Sequence, residues 1–289
     1  MLLNMKELLV VANEHYFAVP AFNIGTNFML KAVIECCEEK QAPVILAIHP
    51  LELAFQGDSF LQQCISAASH SKVPMVIHLD HGSDISQIFR AIRTGFTSVM
   101  IDASRSSFED NVAICRRVVE IAHPLGISVE GELGTIGMVG NDMEGGADQI
   151  IYTKPEDAVR FVAETDVDTL AIAIGTAHGI YPKDLKPELK LDLLKQIKRL
   201  VSIPLVLHGG SANRDDEIAE SVRLGINKIN ISSDTKDAFY QQLRLDLAKD
   251  ANLREPFELY QGSIREMKKV ICQKIDLFND ADQMKHYHL

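Results

Sequence analysis

The chain has 289 residues, of which 46% are hydrophobic and 24% charged, a globular composition that excludes a disordered chain. Its 29 basic and 40 acidic residues give a formal charge of −11, which argues against a nucleic-acid or anionic-membrane partner, since such binding needs a basic footprint. No apolar run reaches the roughly 18 residues of a membrane span, and the length suits one α/β barrel of about 250 residues or two ordinary domains.

The first sixteen residues, Met1–Tyr16, place Glu7 and Glu14 at helical spacing and lack a basic leader with a small-residue cleavage site. They are expected to form a surface helix, not a signal peptide. Eight short apolar, β-rich runs follow at 18–22, 44–48, 75–80, 98–103, 128–133, 170–175, 204–209 and 228–232. Most are apolar throughout, as strands covered on both faces are. Helical patterns separate them, among them 28–40, Asn111–Ala122 and 155–164. Successive runs lie about 25 to 40 residues apart, the size of one βα unit. Eight such units predict an α/β fold, a (β/α)8 barrel of the TIM type, with extra helices after the eighth run. A doubly wound open sheet is the alternative, but its G-x-G-x-x-G turn is missing after the first run. No linker or low-complexity segment interrupts the chain, so residues 1–289 are expected to be one domain.

The longest insertion, 134–153, follows the fifth run and is rich in Gly and polar residues, where barrel loops carry function. The segments 71–82 and 201–210 share the frame Val/Ile-Pro-apolar-apolar-apolar-His. They stand four units apart, as a half-barrel duplication or shared strand chemistry would place them. The five cysteines, Cys36, Cys37, Cys64, Cys115 and Cys272, form no C-x-x-C pair and are odd in number. Free thiols in a reducing compartment are expected, with Cys36 and Cys37 filling space in a helix.

Three histidines close apolar runs beside glycines: His81 after the third, His178 past the sixth, His208 on the seventh. In a barrel these ends converge on one face. Three neutral imidazoles make a zinc site with one open position, the catalytic and not the closed structural pattern. Asp80 directly precedes His81. It is placed to move protons beside a dication if the strand ends at Gly82, or else it is a helix cap together with Ser83 and Asp84. His78 is expected to point inward on the same strand, as metal support or as an interior polar filler. The stretches 208–211 and 230–235 offer backbone N–H groups and the hydroxyls of Ser232, Ser233 and Thr235, either a phosphate cradle or an ordinary N-cap cluster. Lysine covalent catalysis is disfavoured, because Lys228 starts the eighth run, at the end away from this face.

The motifs AVPAFN, HLDHG, V-E-x-E-L-G, AIGTAHG, LVLHGGS and KINI occur in this order. With them the chain resembles the class II, metal-dependent ketose-bisphosphate aldolases over nearly its whole length. The MIDAS segment (100–104) and compact C-terminus bring it nearest the tagatose-bisphosphate type. The resemblance implies a zinc-dependent, reversible aldol cleavage of a tagatose- or fructose-type ketose 1,6-bisphosphate. The products would be dihydroxyacetone phosphate and glyceraldehyde 3-phosphate, formed through an ene-diolate that the metal stabilises. It implies that His81, His178 and His208 bind Zn2+, and that Asp80 donates and accepts the proton on the aldehyde-side oxygen. Asp102 and Glu132 match positions used for a second or displaced metal ion. Asn23, Gly179, Gly209, Gly210, Ser211, Asn230, Ile231, Ser232 and Ser233 would hold dihydroxyacetone phosphate, with a monovalent cation (Na+ or K+) near Gly179 and Gly209. Arg265 would reach the far phosphate, often from a neighbouring subunit, which implies a homodimer or homotetramer. A cytoplasmic enzyme with a small phosphorylated sugar as its partner is expected.

Two positions depart from the family's pattern. Gly140 stands where many relatives carry a loop glutamate, with Asp142 and Glu144 nearby, and His49 stands where they show Ser or Thr close to a substrate phosphate. An aldolase for another phosphorylated ketose or sugar acid, or a non-catalytic accessory subunit, are the alternatives. A barrel metal hydrolase is disfavoured, because it needs H-x-H where this chain has H-L-D-H. His286 and His288 read as a solvated tail.

Overall fold

The computed structural model describes residues 1–138, 149–179 and 188–288. Eight parallel strands close a barrel: β1 Val19–Asn23, β2 Val44–Ile48, β3 Met75–Gly82, β4 Ser98–Ile101, β5 Ser128–Leu133, β6 Thr169–Ile172, β7 Leu205–Leu207 and β8 Ile226–Ile231. Their order around the barrel is β1-β8-β7-β6-β5-β4-β3-β2, each strand beside its sequence neighbours. Every strand residue is buried, which is why these runs are apolar and not alternating. Two two-residue strands, Gly137–Met138 and Ala177–His178, pair above the rim.

Helices surround the strands: α1 Met5–His15, α2 Asn27–Lys40, α3 Pro50–Gln56, α4 Asp58–His70, α5 Ile85–Thr94, α6 Phe108–Ala122, α7 Pro155–Thr165, α8 Leu191–Leu200, α9 Asp215–Arg223 and α10 Ser233–Lys249. The extra C-terminal helices are α11 Pro256–Leu259 and α12 Gln261–Leu277. Local chemistry sets their ends. Thr26 caps α2 through the Met29 N–H, and Ser107 caps α6 through that of Asp110. Asp84 accepts from the N–H groups of Ser86 and Gln87 and so caps α5, which leaves Asp80 for another role.

The inside of the barrel is graded. At the N-terminal end, Val19, Ala21, Ile45, Ala47 and Val76 form an apolar cluster closed by Met5, Leu8, Leu9 and Ala12 of α1. The first helix is therefore a plug for the barrel floor. It is the expected surface helix, with Glu7 and Glu14 exposed, and its apolar face covers the open barrel end. Alternation along each strand then turns polar toward the other end: His78 and Asp80 above Val76, Glu132 above Glu130, Asn230 above Lys228, Asn23 above Ala21.

The cysteine expectation is corrected. Cys36 on α2 and Cys272 on α12 form a disulfide, with Cα atoms 6.1 Å apart, while Cys37, Cys64 and Cys115 are buried and free. The partners lie 236 residues apart in sequence, so local spacing holds no trace of a pairing that arises only because α12 packs along α2.

Candidate active site

The C-terminal rim gathers the three histidines. Their ring centroids lie 5.0 Å (His81–His178), 4.6 Å (His81–His208) and 6.2 Å (His178–His208) apart. One ligand nitrogen from each falls within 4.8 Å of the others, and all three residues are buried. His81 Nε2 is buried with no hydrogen-bond partner. Three convergent imidazole nitrogens suit a divalent ion and leave an open position for substrate, so these residues can hold the metal. His81, Asp102 and Glu132 form a second such group.

How Asp80 and His81 both face the site is a matter of backbone. Neighbours on a strand point to opposite faces. Here β3 does not end before Gly82 but bulges: its register with β4 shifts between Leu79 and Gly82, and His81 has φ +53°. That left-handed residue turns its side chain back to the rim, and the bulge resolves what alternation forbids. Asp80 is fully buried, with Asn23 Nδ2 donating to Oδ2 at 2.7 Å and Asn230 Nδ2 to Oδ1 at 2.9 Å.

Beneath the imidazoles lies an ionic layer that the motifs did not reveal. Lys228 Nζ donates to both oxygens of Glu130 at 2.8 Å, and His208 Nε2 meets Glu130 Oε1 at 2.9 Å. The bond from His208 Nε2 leaves its Nδ1 turned toward the other two imidazoles, 3.1 Å from Glu132 Oε2 without hydrogen-bond geometry. Lys228 was expected at the far end of its strand. It is instead the third residue of β8, inside the barrel, in one ion pair that uses both oxygens of Glu130. The signal for this layer was the Glu-x-Glu of 130–132, two carboxylates on one inward strand face, which require buried partners. His78 also faces inward, with Nδ1 2.9 Å from Ser98 Oγ. It is not among the residues grouped to hold a metal.

The charges of the cluster follow from this packing. Burial opposes charge on His81, but Asp80, Asp102 and Glu132 outweigh it and push its pKa up to about 10. Burial likewise works against ionised Asp80, yet His81 and Lys228 hold it well below the usual carboxylate range. Asp102 and Glu130 are also lowered against their burial, by His81 and by Lys228 respectively. Burial, followed by the charge of Lys228, drives His78 down to about 3, so it is neutral. The site thus concentrates carboxylates around the imidazoles and calls for a compensating cation.

The segments expected to hold phosphate meet on one side of the rim. Gly209 has φ +63°, and a Cβ there would sit 2.6 Å from Ala177 O, so only glycine lets the loop after β7 lie against the strand carrying His178. Asn213, absent from the sequence expectations, fastens this loop by donating to Gly209 O at 2.6 Å and Ser211 O at 3.0 Å. Ser211 and Ser232 are buried, Ser233 is partly buried, and Asn230 and Ile231 lead from β8 into α10. Gly179 closes the segment after His178. Arg265 is not brought to the site: its side chain on α12 is 66% exposed and 3.4 Å from Glu266. His49 is buried and caps α3 at the end of β2. Gly140, Asp142 and Glu144 lie outside the described residues.

A parallel barrel with imidazoles and a buried carboxylate on its C-terminal rim is the framework of a metal-dependent barrel enzyme. Comparison with known proteins narrows this. The family described as fructose-bisphosphate aldolase class-II matches residues 3–283. The D-tagatose-1,6-bisphosphate aldolase subunit GatY of Klebsiella oxytoca is 37% identical over 284 residues, 98% of this chain and 99% of that protein. The crystal structure of the YdjI aldolase from Escherichia coli K12 is 31% identical with a TM-score of 0.82, covering 97% of this chain and 98% of that one. That of a fructose-bisphosphate aldolase from Campylobacter jejuni has a TM-score of 0.80 over 98% and 97% of the two chains; at 23% identity it supports the fold alone. The chain belongs to the class II fructose-bisphosphate aldolase family, and it is an aldolase, a lyase that breaks a carbon–carbon bond. The family is metal-dependent, and no helix among the described residues is long and apolar enough to cross a membrane.

Proposed function

We propose that this chain cleaves a ketose 1,6-bisphosphate of the tagatose or fructose type, reversibly and with zinc, into dihydroxyacetone phosphate and glyceraldehyde 3-phosphate. The observation that carries the reading is a buried carboxylate, Asp80, held at both oxygens by Asn23 and Asn230 beside three convergent imidazoles. The tagatose-bisphosphate aldolase named among its relatives supports the substrate class.

In this reading His81, His178 and His208 hold the zinc, with Asp102 and Glu132 offering it a second position beside His81. Bound there, the ion supplies Lewis-acid polarisation of the substrate's carbonyl oxygen. Asp80 takes the proton of the hydroxyl on the aldehyde side as the bond between C3 and C4 breaks. The electron pair of that bond stays on the ketone fragment, which then gains a proton. Asn23 and Asn230 keep Asp80 ionised and fixed in place for the transfer. Gly179, the run from Gly209 to Ser211, and Ser232 with Ser233 bind the phosphate of dihydroxyacetone phosphate, which sets the face presented to the aldehyde. A monovalent cation near Gly179 and Gly209 completes the cradle.

Residues 1–289 act as one domain of a cytoplasmic homodimer or homotetramer, in which Arg265 serves a neighbour's site. The word subunit in the name of the Klebsiella relative agrees with an assembly. The test is triose-phosphate release from tagatose and fructose 1,6-bisphosphates by the zinc-loaded protein, before and after chelation. Chelator-sensitive release is expected, and the ratio of the two rates identifies the preferred sugar. Zinc-loaded protein that releases nothing from either sugar refutes the reading.

A further inference from the structure

We infer that Cys272 is a reversible modification site for a small thiol of tripeptide size, which opens the Cys36–Cys272 bond from the Cys272 side and lodges in the groove between α2 and α12. The two ends of that bond differ. Cys36 is fully buried in the core, whereas Cys272 is partly buried and lines a cavity of about 550 Å³. A nucleophile from solvent therefore meets the Cys272 sulfur and not the other, and access decides which sulfur of a disulfide is attacked.

The cavity is a groove along two helices. Its wall on α12 runs from Gln261 through Ile264 and Lys268 to Cys272, residues three or four apart and hence on one helix face. From α2 it takes Lys31 and Glu39. The helical rise from 261 to 272 makes it about 16 Å long, and an extended tripeptide spans about 10 Å. The volume lies within the range of small-molecule sites, about 300–1,000 Å³.

None of the charges along the groove needs to be free. Lys31 pairs with Glu35, Lys268 with Glu35 and Glu39, and Lys269 and Arg265 with Glu266. Four cations thus share three carboxylates, in a chain whose formal charge is −11. That local surplus favours the thiolate, the form of a thiol that attacks. The covalent bond, not a salt bridge, then holds the adduct.

In the exchange the thiolate bonds to Cys272 Sγ and the S–S bond breaks. Its electron pair leaves on Cys36 Sγ, which takes up the proton that the attacking thiol released. One disulfide is made as another is broken, so no outside oxidant enters. The new thiol has an acceptor, because Cys36 Sγ stands 3.7 Å from Lys268 O. Attack of Cys36 on the adduct reverses the step. The other thiols do not compete: burial pushes those of Cys64 and Cys115 up to about 12 and that of Cys37 well above its ordinary value. Met267, Ile271 and Ile275 are fully buried and keep α12 in place while the bond is open.

The test is to hold the folded, zinc-loaded protein in a mixture of reduced and oxidised glutathione, quench it in acid and map the cysteine peptides by mass spectrometry. The wild type is expected to carry glutathione on the Cys272 peptide at least about tenfold over the Cys36 peptide. Cys36→Ser, which leaves Cys272 without its partner, is expected to take one glutathione per chain, and folded Cys272→Ser none. In urea the preference should vanish, since it comes from burial in the fold. An adduct equal at both cysteines, or greater at Cys36, overturns the inference. So does a wild-type bond that stays closed when folded in mixtures that open it in the urea-unfolded chain. Folded Cys36→Ser that takes up no more glutathione than Cys272→Ser overturns it as well. The wild-type map decides by itself should a variant fail to fold.

Discussion

Asn230, at the end of β8, donates its side-chain amide to Asp80 on β3 at 2.9 Å, joining residues 150 apart in sequence. Asn23 takes the other carboxylate oxygen at 2.7 Å, so this buried acid above the ionic layer is clamped from two strands. A carboxylate that accepts two amide donors in a dry site stays ionised and cannot rotate, which is what a proton acceptor needs.

Asp80→Asn is therefore expected to lower kcat by about 10²- to 10⁴-fold, the usual worth of a positioned general base. Asn230→Ala should cost about tenfold, because it frees one oxygen of the acid without removing it. Elemental analysis is expected to find unchanged metal content in both variants. Metal lost in proportion to rate would assign these residues to metal binding instead.

Lys228 and Glu130 are fully buried and neutralise each other beneath His208. Lys228→Met leaves the Glu130 charge with no cationic lysine in the barrel interior, and urea unfolding is expected to show a loss of about 3–5 kcal/mol. The double variant Lys228→Met/Glu130→Gln should recover much of that loss, because it removes the orphaned charge. Equal instability of the single and double variants would mean that packing, not charge, sets the cost.

A metal held by His81, His178 and His208, as proposed, would stabilise the folded chain alone. At a thousand times the dissociation constant this amounts to about 4 kcal/mol. Chelation is expected to lower the thermal midpoint by about 10 °C, since each kcal/mol moves a domain of this size by about 2–4 °C. Added zinc should restore it. His208→Ala is expected to show no chelator-dependent shift, as seen by scanning calorimetry.

Asp280 follows α12 and is fully buried, with neither carboxylate oxygen hydrogen-bonded among the described residues. Burial holds its pKa well above the ordinary 3.8. The unfolded chain ionises from that ordinary value upward while the folded chain keeps the proton, so this group's contribution is complete at acid pH and is lost as the pH rises toward the folded pKa. Asp280→Asn carries no such slope. The Tm of the variant relative to wild type should rise between about pH 4 and pH 8. A constant difference would place an unseen cation or water network at Asp280.

The eight apolar runs, the helices between them and the glycine-flanked histidines at run ends were readable because each is local. Burial on both faces writes continuous apolar runs, and a close backbone approach writes glycine. Gly209 is such a case, since only its missing Cβ admits Ala177 O. Asp84 as the cap of α5 was also within local reach, and it decides between the two roles open to Asp80.

What only the tertiary structure decided are the relations that barrel closure creates. The bulge at His81, with φ +53°, turns two adjacent residues to one face, against the alternation a strand sequence implies. Glu130 finds Lys228 98 residues away, and the Cys36–Cys272 bond spans 236. The plugging of the barrel floor by α1 has the same origin. By itself the amino-acid order determined this protein's periodicities and local caps, because those depend on neighbours within a turn or a strand. The partners of its buried charges and the reach of its loops depend on which strands become neighbours, and that is settled only when apolar burial closes the sheet on itself.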